Sequence, residues 1–217
     1  MKRSLAAIAF VVAAAAPLSL AQGAPKPGDD ASMEVQRRYF TEDDVAPMVK
    51  PANYDVTIVE YMDYQCPNCR ASHEPMKQLL AKDKKVRVIY RDWPIFGAKS
   101  EAAAMVAIAA KYQGKHAEVH DALMQAPLPL DEKKIEAAVK KAGADMTRLD
   151  KDLKDHSKEI VELIQRNDEQ AQSIGLQGTP GFLVGDVQFF GGMTLKELET
   201  AVAEARKAAK AGGAKAK

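Results

Sequence analysis

The feature that most constrains this chain is a β-rich run that ends in two cysteines three residues apart, with a helical pattern behind them. Val56, Ile58, Val59 and Tyr61 form a short run of strand-forming residues that breaks at Asp63-Tyr64-Gln65, just before Cys66. From Cys66 to Lys82 the apolar residues Met76, Leu79 and Leu80 follow helical spacing, with Pro75 as an expected kink. Val86, Val88, Ile89 and Tyr90 read as a second strand. Strand, helix and strand in that order are the frame of a parallel α/β sheet.

The frame is interrupted. Between about 98 and 173 strand signals vanish, and Ala102–Lys111, His116–Met124, Asp131–Ala142 and Asp150–Ser173 all carry helical patterns, so three to five helices are expected there. The strand texture returns after Gly178-Thr179-Pro180-Gly181, with Phe182 to Val184, a Gly185-Asp186 turn, and Val187 to Phe190. A closing helix is expected over roughly Thr194–Ala209, where Thr194 and Glu197 stand at capping-box spacing. The order is βαβ, helical block, ββα, an α/β chain with an all-helical insert. By segment, it divides into two parts of one α/β domain at 55–97 and 174–209 around the 98–173 insert, with a 22–54 arm or linker before, helical at most around Met33 to Phe40, and a disordered basic tail over 210–217.

Cys66 and Cys69 are the only cysteines of the 217 residues, and a bond between them closes too short a loop to staple a fold. A cysteine that opens a helix has its sulfur near unpaired N–H groups and the positive end of the helix dipole, which favour thiolate. Cys66 is placed there, with Pro67 at the first helical position, and Cys69 lies one turn on within bridging reach. The pair therefore reads as a redox disulfide, with Cys66 the exposed, attackable sulfur and Cys69 the partly buried resolving one. Other readings stay open at this point: a structural disulfide, or a zinc site completed by His116 and His120, although the spacing far exceeds that of a zinc finger. His116 to His120 lacks the order of a metalloprotease helix, and no metal is expected. His73, one turn after Cys69, is expected to face solvent. Glu60 lies in the first strand among apolar neighbours. It is either a strand-edge carboxylate or a buried acid beneath the second cysteine that exchanges its proton. Thr179-Pro180 is either an ordinary turn or a cis proline that presents backbone to an extended substrate.

The N-terminus has a basic start at Lys2 and Arg3, an apolar run from Leu5 to Leu20, and small residues at Ser19 and Ala21. This is the pattern of a secretory signal peptide over residues 1–21, cleaved after Ala21 with Ala24 as the next choice. The run contains Pro17 and is short for a membrane span. Removing Lys2 and Arg3 takes the 31 basic residues to 29 against 30 acidic ones, and five of the basic ones fall in the last twelve positions. A near-neutral, mildly acidic body gives no nucleic-acid footprint.

Four segments, VTIVEYMDYQCPNC, RVIYRDWPIFG, KHAEVHDALM and IGLQGTPGFLVGD, together resemble the DsbA-like branch of thioredoxin-fold proteins. The resemblance runs from about Val56 to Val202. It implies a thioredoxin fold with an inserted helical domain in a periplasmic thiol–disulfide oxidoreductase that needs no cofactor beyond its own disulfide. It makes Cys66 the nucleophile, Cys69 its partner, Pro67 and Asn68 the tuning dipeptide, Glu60 the acid under the active site, and Thr179-Pro180 the substrate-facing cis-proline pair. The implied partners are thiol-bearing exported proteins and a membrane redox protein that recycles the pair. Strongly oxidising members carry histidine where this chain has Asn68, and Thr179 resembles the isomerases. A disulfide-donating oxidase is the leading expectation. The alternatives are an isomerase or reductase kept reduced by a membrane partner, with oligomer contacts through the arm, and a non-catalytic surface or binding protein on the same fold.

Overall fold

The computed structural model of the chain describes residues 30–211, with side chains from Val35 onward; the expected signal peptide and the end of the basic tail lie outside them. Five strands form one mixed sheet: β1 (Met48–Val49), β2 (Val56–Met62), β3 (Val86–Asp92), β4 (Gly181–Val184) and β5 (Val187–Phe190). They stand in the order β1-β3-β2-β4-β5. Only β2 and β3 run parallel, joined by α2 (Pro67–Lys82); β1, β4 and β5 are added antiparallel. β2 and β3 are buried along their whole length, which accounts for their near-continuous apolar runs.

Side-chain alternation gives the sheet two faces with different contents. Ile58 shares an apolar core with Met76 and Leu79 of α2 and with Leu198 and Val202 of α8 (Leu195–Ala211). Glu60 is on that same face. Val59, Tyr61 and Ile89 belong to the other core, with the insert. Between β3 and β4 the chain makes α3 (Ala98–Ala110), α4 (His116–Gln125), α5 (Glu132–Lys141), α6 (Met146–Asp155) and α7 (Ser157–Ser173). The expected capping box forms in both directions at the start of α8: Thr194 N donates to Glu197 at 2.7 Å and Glu197 N to Thr194 Oγ1 at 3.3 Å.

Helix α2 holds Pro75, the site of the expected kink, within its length. Two expectations are corrected. The helix drawn from Asp150 to Ser173 is two helices, α6 and α7, which meet at His156. The sequence pattern hides this break because both pieces are charged amphipathic helices. The 22–54 arm is not a plain linker in its described part. Helix α1 (Asp30–Thr41) brings the Phe40 carbonyl to Arg91 Nη2 at 2.8 Å, and β1 pairs with β3 at the sheet edge. Asp43 pairs with Arg91 at 2.6 Å, with both side chains buried. Arg91 sits on the central part of the sheet and needs that partner, since a lone buried guanidinium is costly.

Candidate active site

Cys66 caps the N-terminus of α2, and Cys69 lies one turn in on the same helix. Both thiols are free, and both residues are buried, Cys66 at 3% exposure and Cys69 at 0%. The expected contrast of an exposed and a buried cysteine is therefore corrected: Pro67 and Asn68 are the exposed members of the motif. The contrast survives in chemistry. Hydrogen bonding from the Cys69 thiol pulls the Cys66 thiol down to about 5 against its burial, with help from the backbone N–H groups of Asn68 and Cys69. Burial, and then the neighbouring Cys66, pushes the Cys69 thiol far above its ordinary range. One sulfur is a ready thiolate and the other holds its proton.

The turn ahead of the cysteines is held by residues that sequence reasoning did not single out. Asp63 Oδ1 accepts from Gln65 N at 2.7 Å and from Ser100 Oγ at 2.7 Å, and its Oδ2 accepts from Phe96 N at 3.1 Å. Asp63 N in turn faces Cys69 Sγ at 3.5 Å. Gln65 Oε1 accepts from Leu130 N at 3.0 Å. Arg70 donates to the carbonyls of Tyr64 at 2.7 Å, Leu123 at 2.9 Å and Met124 at 3.0 Å, and also to Ala126. It fastens the cysteine helix to the C-terminal end of α4. The only sequence signal for it was a basic residue directly after CxxC, which by itself says nothing of its partners.

Across from the cysteines, the Thr179–Pro180 peptide is cis, and the Cys66 thiol donates to the Thr179 carbonyl at 3.2 Å. Gly192 lies against α2 so closely that a Cβ there would stand 3.1 Å from Ser72 Oγ. Around this centre Phe96, Leu128 and Phe190 are exposed, at 51%, 41% and 65%. Each belongs to a segment hydrogen-bonded to the site: through Asp63, through Gln65, and through Gly191 N to the Pro180 carbonyl at 2.9 Å.

Glu60 is buried at 2% exposure, and burial raises its carboxyl to about 8. It is on the sheet face covered by α2, the helix that carries Cys69. His73 is buried rather than solvent-facing, because Asp121 of α4 takes its Nε2 at 2.8 Å. His116 and His120 do share a helix face, but they pack on Tyr90 with ring centroids 5.3 and 4.6 Å away. Among the described residues no group of His, Cys, Asp and Glu is arranged to hold a metal.

The family profile described as DSBA-like thioredoxin domain matches residues 57–203, which take in β2 from Thr57 onward, β3, β4, β5 and the helical insert. The chain belongs to the DsbA-like thioredoxin domain family. Among solved structures, the DsbA-like chain is similar to a thioredoxin-like oxidoreductase from Silicibacter pomeroyi DSS-3. Their identity is 36% and the TM-score 0.74, over 79% of this chain and 98% of that one. It is also similar to the thiol-disulfide exchange protein alpha-DsbA2 from Wolbachia pipientis, at 28% identity and TM-score 0.72, over 81% of this chain and 98% of that one. A curated relative is the Na(+)/H(+) antiporter NhaA 1 of Salinispora arenicola, 27% identical over 157 residues. The match takes in 71% of this chain but only 24% of that protein, so the DsbA-like chain spans about a quarter of the relative's length. Among the described residues no helix is long and apolar enough to cross a membrane.

Proposed function

We propose that this chain is a thiol–disulfide oxidoreductase that donates disulfides to thiol-bearing exported proteins in the periplasm. The observation that carries the reading is the unequal pair: Cys66 stabilised as a thiolate at the head of α2, beside a Cys69 that keeps its proton. A substrate thiolate attacks Cys66 of the disulfide form, and the Cys66–Cys69 bond breaks as the mixed disulfide forms. A second substrate thiolate then attacks the substrate sulfur, the substrate disulfide closes, and Cys66 leaves as a thiolate. Two electrons pass from substrate to enzyme; of the two substrate protons one ends on Cys69 and the other in solvent. A stable leaving thiolate drives this direction, each tenfold in equilibrium being about 30 mV for two electrons. The exposed Phe96, Leu128 and Phe190, on segments hydrogen-bonded to the site, offer apolar ground for an unfolded chain. A membrane redox protein that accepts two electrons from the dithiol would complete the cycle.

The test is the equilibrium of Cys66 and Cys69 against a glutathione series, with thiols trapped at each step. A potential near or above the glutathione couple of an oxidising compartment supports the donor. A thioredoxin-like value would make it a reductase or isomerase, the second reading that Thr179 beside Pro180 favours. Cys66→Ser is expected to abolish exchange and Cys69→Ser to accumulate mixed disulfides. Normal oxidation of substrate thiols by both variants would sink the assignment.

A further inference from the structure

Against the sheet face that α2 covers lie ionisable side chains drawn from four elements and the turn before Cys66. Glu60 of β2 stands in register with Tyr90 of β3, and Asp92 follows two residues later on the same face. Tyr64 comes from the turn before Cys66, His73 from α2, and His116 and His120 from α4. All seven are buried, none above 8% exposure. Tyr64, Tyr90, His73 and His116 meet at His120, and the carboxyls of Glu60 and Asp92 adjoin them through Tyr64 and Tyr90. Tyr64 Oη and His120 Nδ1 are 2.9 Å apart, and the His120 ring lies 4.6 Å from Tyr90, 4.9 Å from His73 and 5.5 Å from His116. The seam has an outer end. His73 Nε2 meets Asp121 Oδ1 at 2.8 Å, and Asp121, with Lys77 also on it at 2.6 Å, is 36% exposed.

Stability alone does not explain such a seam. Nε2 of His116 has no hydrogen-bond partner, and the fully buried Asp92 carboxyl has little besides its own backbone N–H and the Tyr64 hydroxyl to pair with; polar groups buried in this way are destabilising. Burial keeps the carboxyls of Glu60 and Asp92 protonated well above their ordinary range, and keeps His116 and His120 neutral. These are groups that can hold and pass a proton without carrying a lasting charge. The cysteine pair needs that service. Cys69 must gain a proton when the disulfide opens and lose it when the disulfide closes, yet it is fully buried.

We propose that His120, with Tyr64 and Tyr90 against it and the His73–Asp121 pair at its outer end, is the route by which the Glu60–Asp92 carboxyl pair exchanges the Cys69 proton with solvent. The inference rests on the reading of Cys66 and Cys69 as an exchanging pair and of Glu60 as its buried acid. His120 acts as a positioning residue: it touches neither sulfur nor substrate. The charged and titratable groups facing it are Tyr90 from β3, His73 and Lys77 from α2, Tyr64 from the turn and His116 from its own helix. Those facing the carboxyls are Tyr64, Tyr90 and Asp63.

The experiment is the rate of reduction of the Cys66–Cys69 disulfide by dithiothreitol from pH 5 to 9, in H2O and D2O, with the glutathione equilibrium measured in parallel. The full chain is compared with its His120→Phe, His73→Gln and Glu60→Gln variants. His120→Phe is expected to slow the step roughly tenfold or more at pH 7 and to raise the solvent isotope effect, with the equilibrium unchanged. His73→Gln, at the outer end, is expected to move the rate the same way by a smaller factor. Rates, pH profile and isotope effect like the parent's in both histidine variants overturn the route. So does a slowed rate accompanied by an equally shifted equilibrium, since that marks an electrostatic or packing effect. If His120→Phe does not fold, a parent-like profile in His73→Gln overturns the route by itself, and a slowed, isotope-sensitive one supports it. An altered profile in Glu60→Gln with parent-like histidine variants overturns the route but leaves the acid reading standing. A parent-like Glu60→Gln overturns both. A parent chain whose disulfide does not exchange at all sinks the oxidoreductase reading beneath them.

Discussion

Cys66 and Glu60 depart from their ordinary titration in opposite senses, and each departure has a measurable consequence. The Cys66 thiol, lowered to about 5 by Cys69 and the helix N–H groups, is expected to react with a small alkylating agent at a rate that plateaus above about pH 6 and halves near pH 5. A midpoint near 8.5, that of a free thiol, would remove the basis for a disulfide donor. Glu60 is raised to about 8 in the folded chain, against roughly 4.3 unfolded. Between those values the folded state holds a proton that the unfolded state has lost, so stability is fully present below pH 4.3 and falls as pH rises to about 8. Glu60→Gln is expected to remove that slope and to stabilise the chain by on the order of a few kcal/mol at pH 8, read by urea unfolding across pH. An unchanged slope would mean that the carboxyl is not buried in the neutral form. Asparagine at 68 and threonine at 179 were legible as departures from the strongly oxidising members, while the burial of Cys66 was not, because a helix cap says nothing of what covers it.

At the level of elements, α2 is held at both faces. Met76 and Leu79 pack toward α8, and on the other side Arg70 serves four carbonyls, three of them at the end of α4. Arg70→Met keeps the stem and removes the donors, leaving carbonyls in a half-buried site unpaired. A loss of about 2–4 kcal/mol is expected in chemical unfolding. Exchange by Cys66 is expected to fall less than stability, because the thiolate is held by Cys69, Thr179 and the first N–H groups of α2, none of which the Arg70 side chain hydrogen-bonds. A variant as stable as the parent would show that the insert is fixed by apolar packing alone. The insert's helices were readable from periodicity, whereas the break at His156 and the inward turn of His73 depend on partners distant in sequence, the Tyr112 ring stacked on His156 and Asp121 of α4 on His73.

For the molecule as a whole, residues 30–49 belong to the fold. Burial works against ionised Asp43, but hydrogen bonds and charge from Arg91, with a further bond from Arg166, bring its carboxyl down to about 2. Asp43→Asn leaves Arg91 charged and short of its partner, and a loss of about 3–5 kcal/mol is expected at pH 7. The sign follows from the lowered value: Asp43 stabilises fully above its unfolded range near pH 4, and that contribution fades as pH falls through about 2. The variant and parent should therefore converge in acid. A constant difference down to pH 2 would assign the loss to packing instead. The described part of the arm is thus occupied within its own chain, with Arg37 also bound to Asp186 of the β4–β5 turn at 2.9 Å.

The sequence by itself determined the strand–CxxC–helix unit, the helical block, the hairpin and the capped last helix. Each of these follows from short-range periodicity, turn chemistry and helix-end electrostatics carried by neighbouring residues. It also singled out Cys66, Cys69, Glu60 and Thr179-Pro180, since their types and spacing are local facts. Whether Glu60 was buried was decided only by tertiary structure, because β4 had to pair beside β2 and α2 and α8 had to cover that face of the sheet. The same holds for Asp63 and Arg70 as supports, for Asp43 as the partner of Arg91, and for the seam of His73, His116 and His120. Those residues are tens of positions apart, and their chemistry comes from the low-dielectric space that the packed elements enclose together.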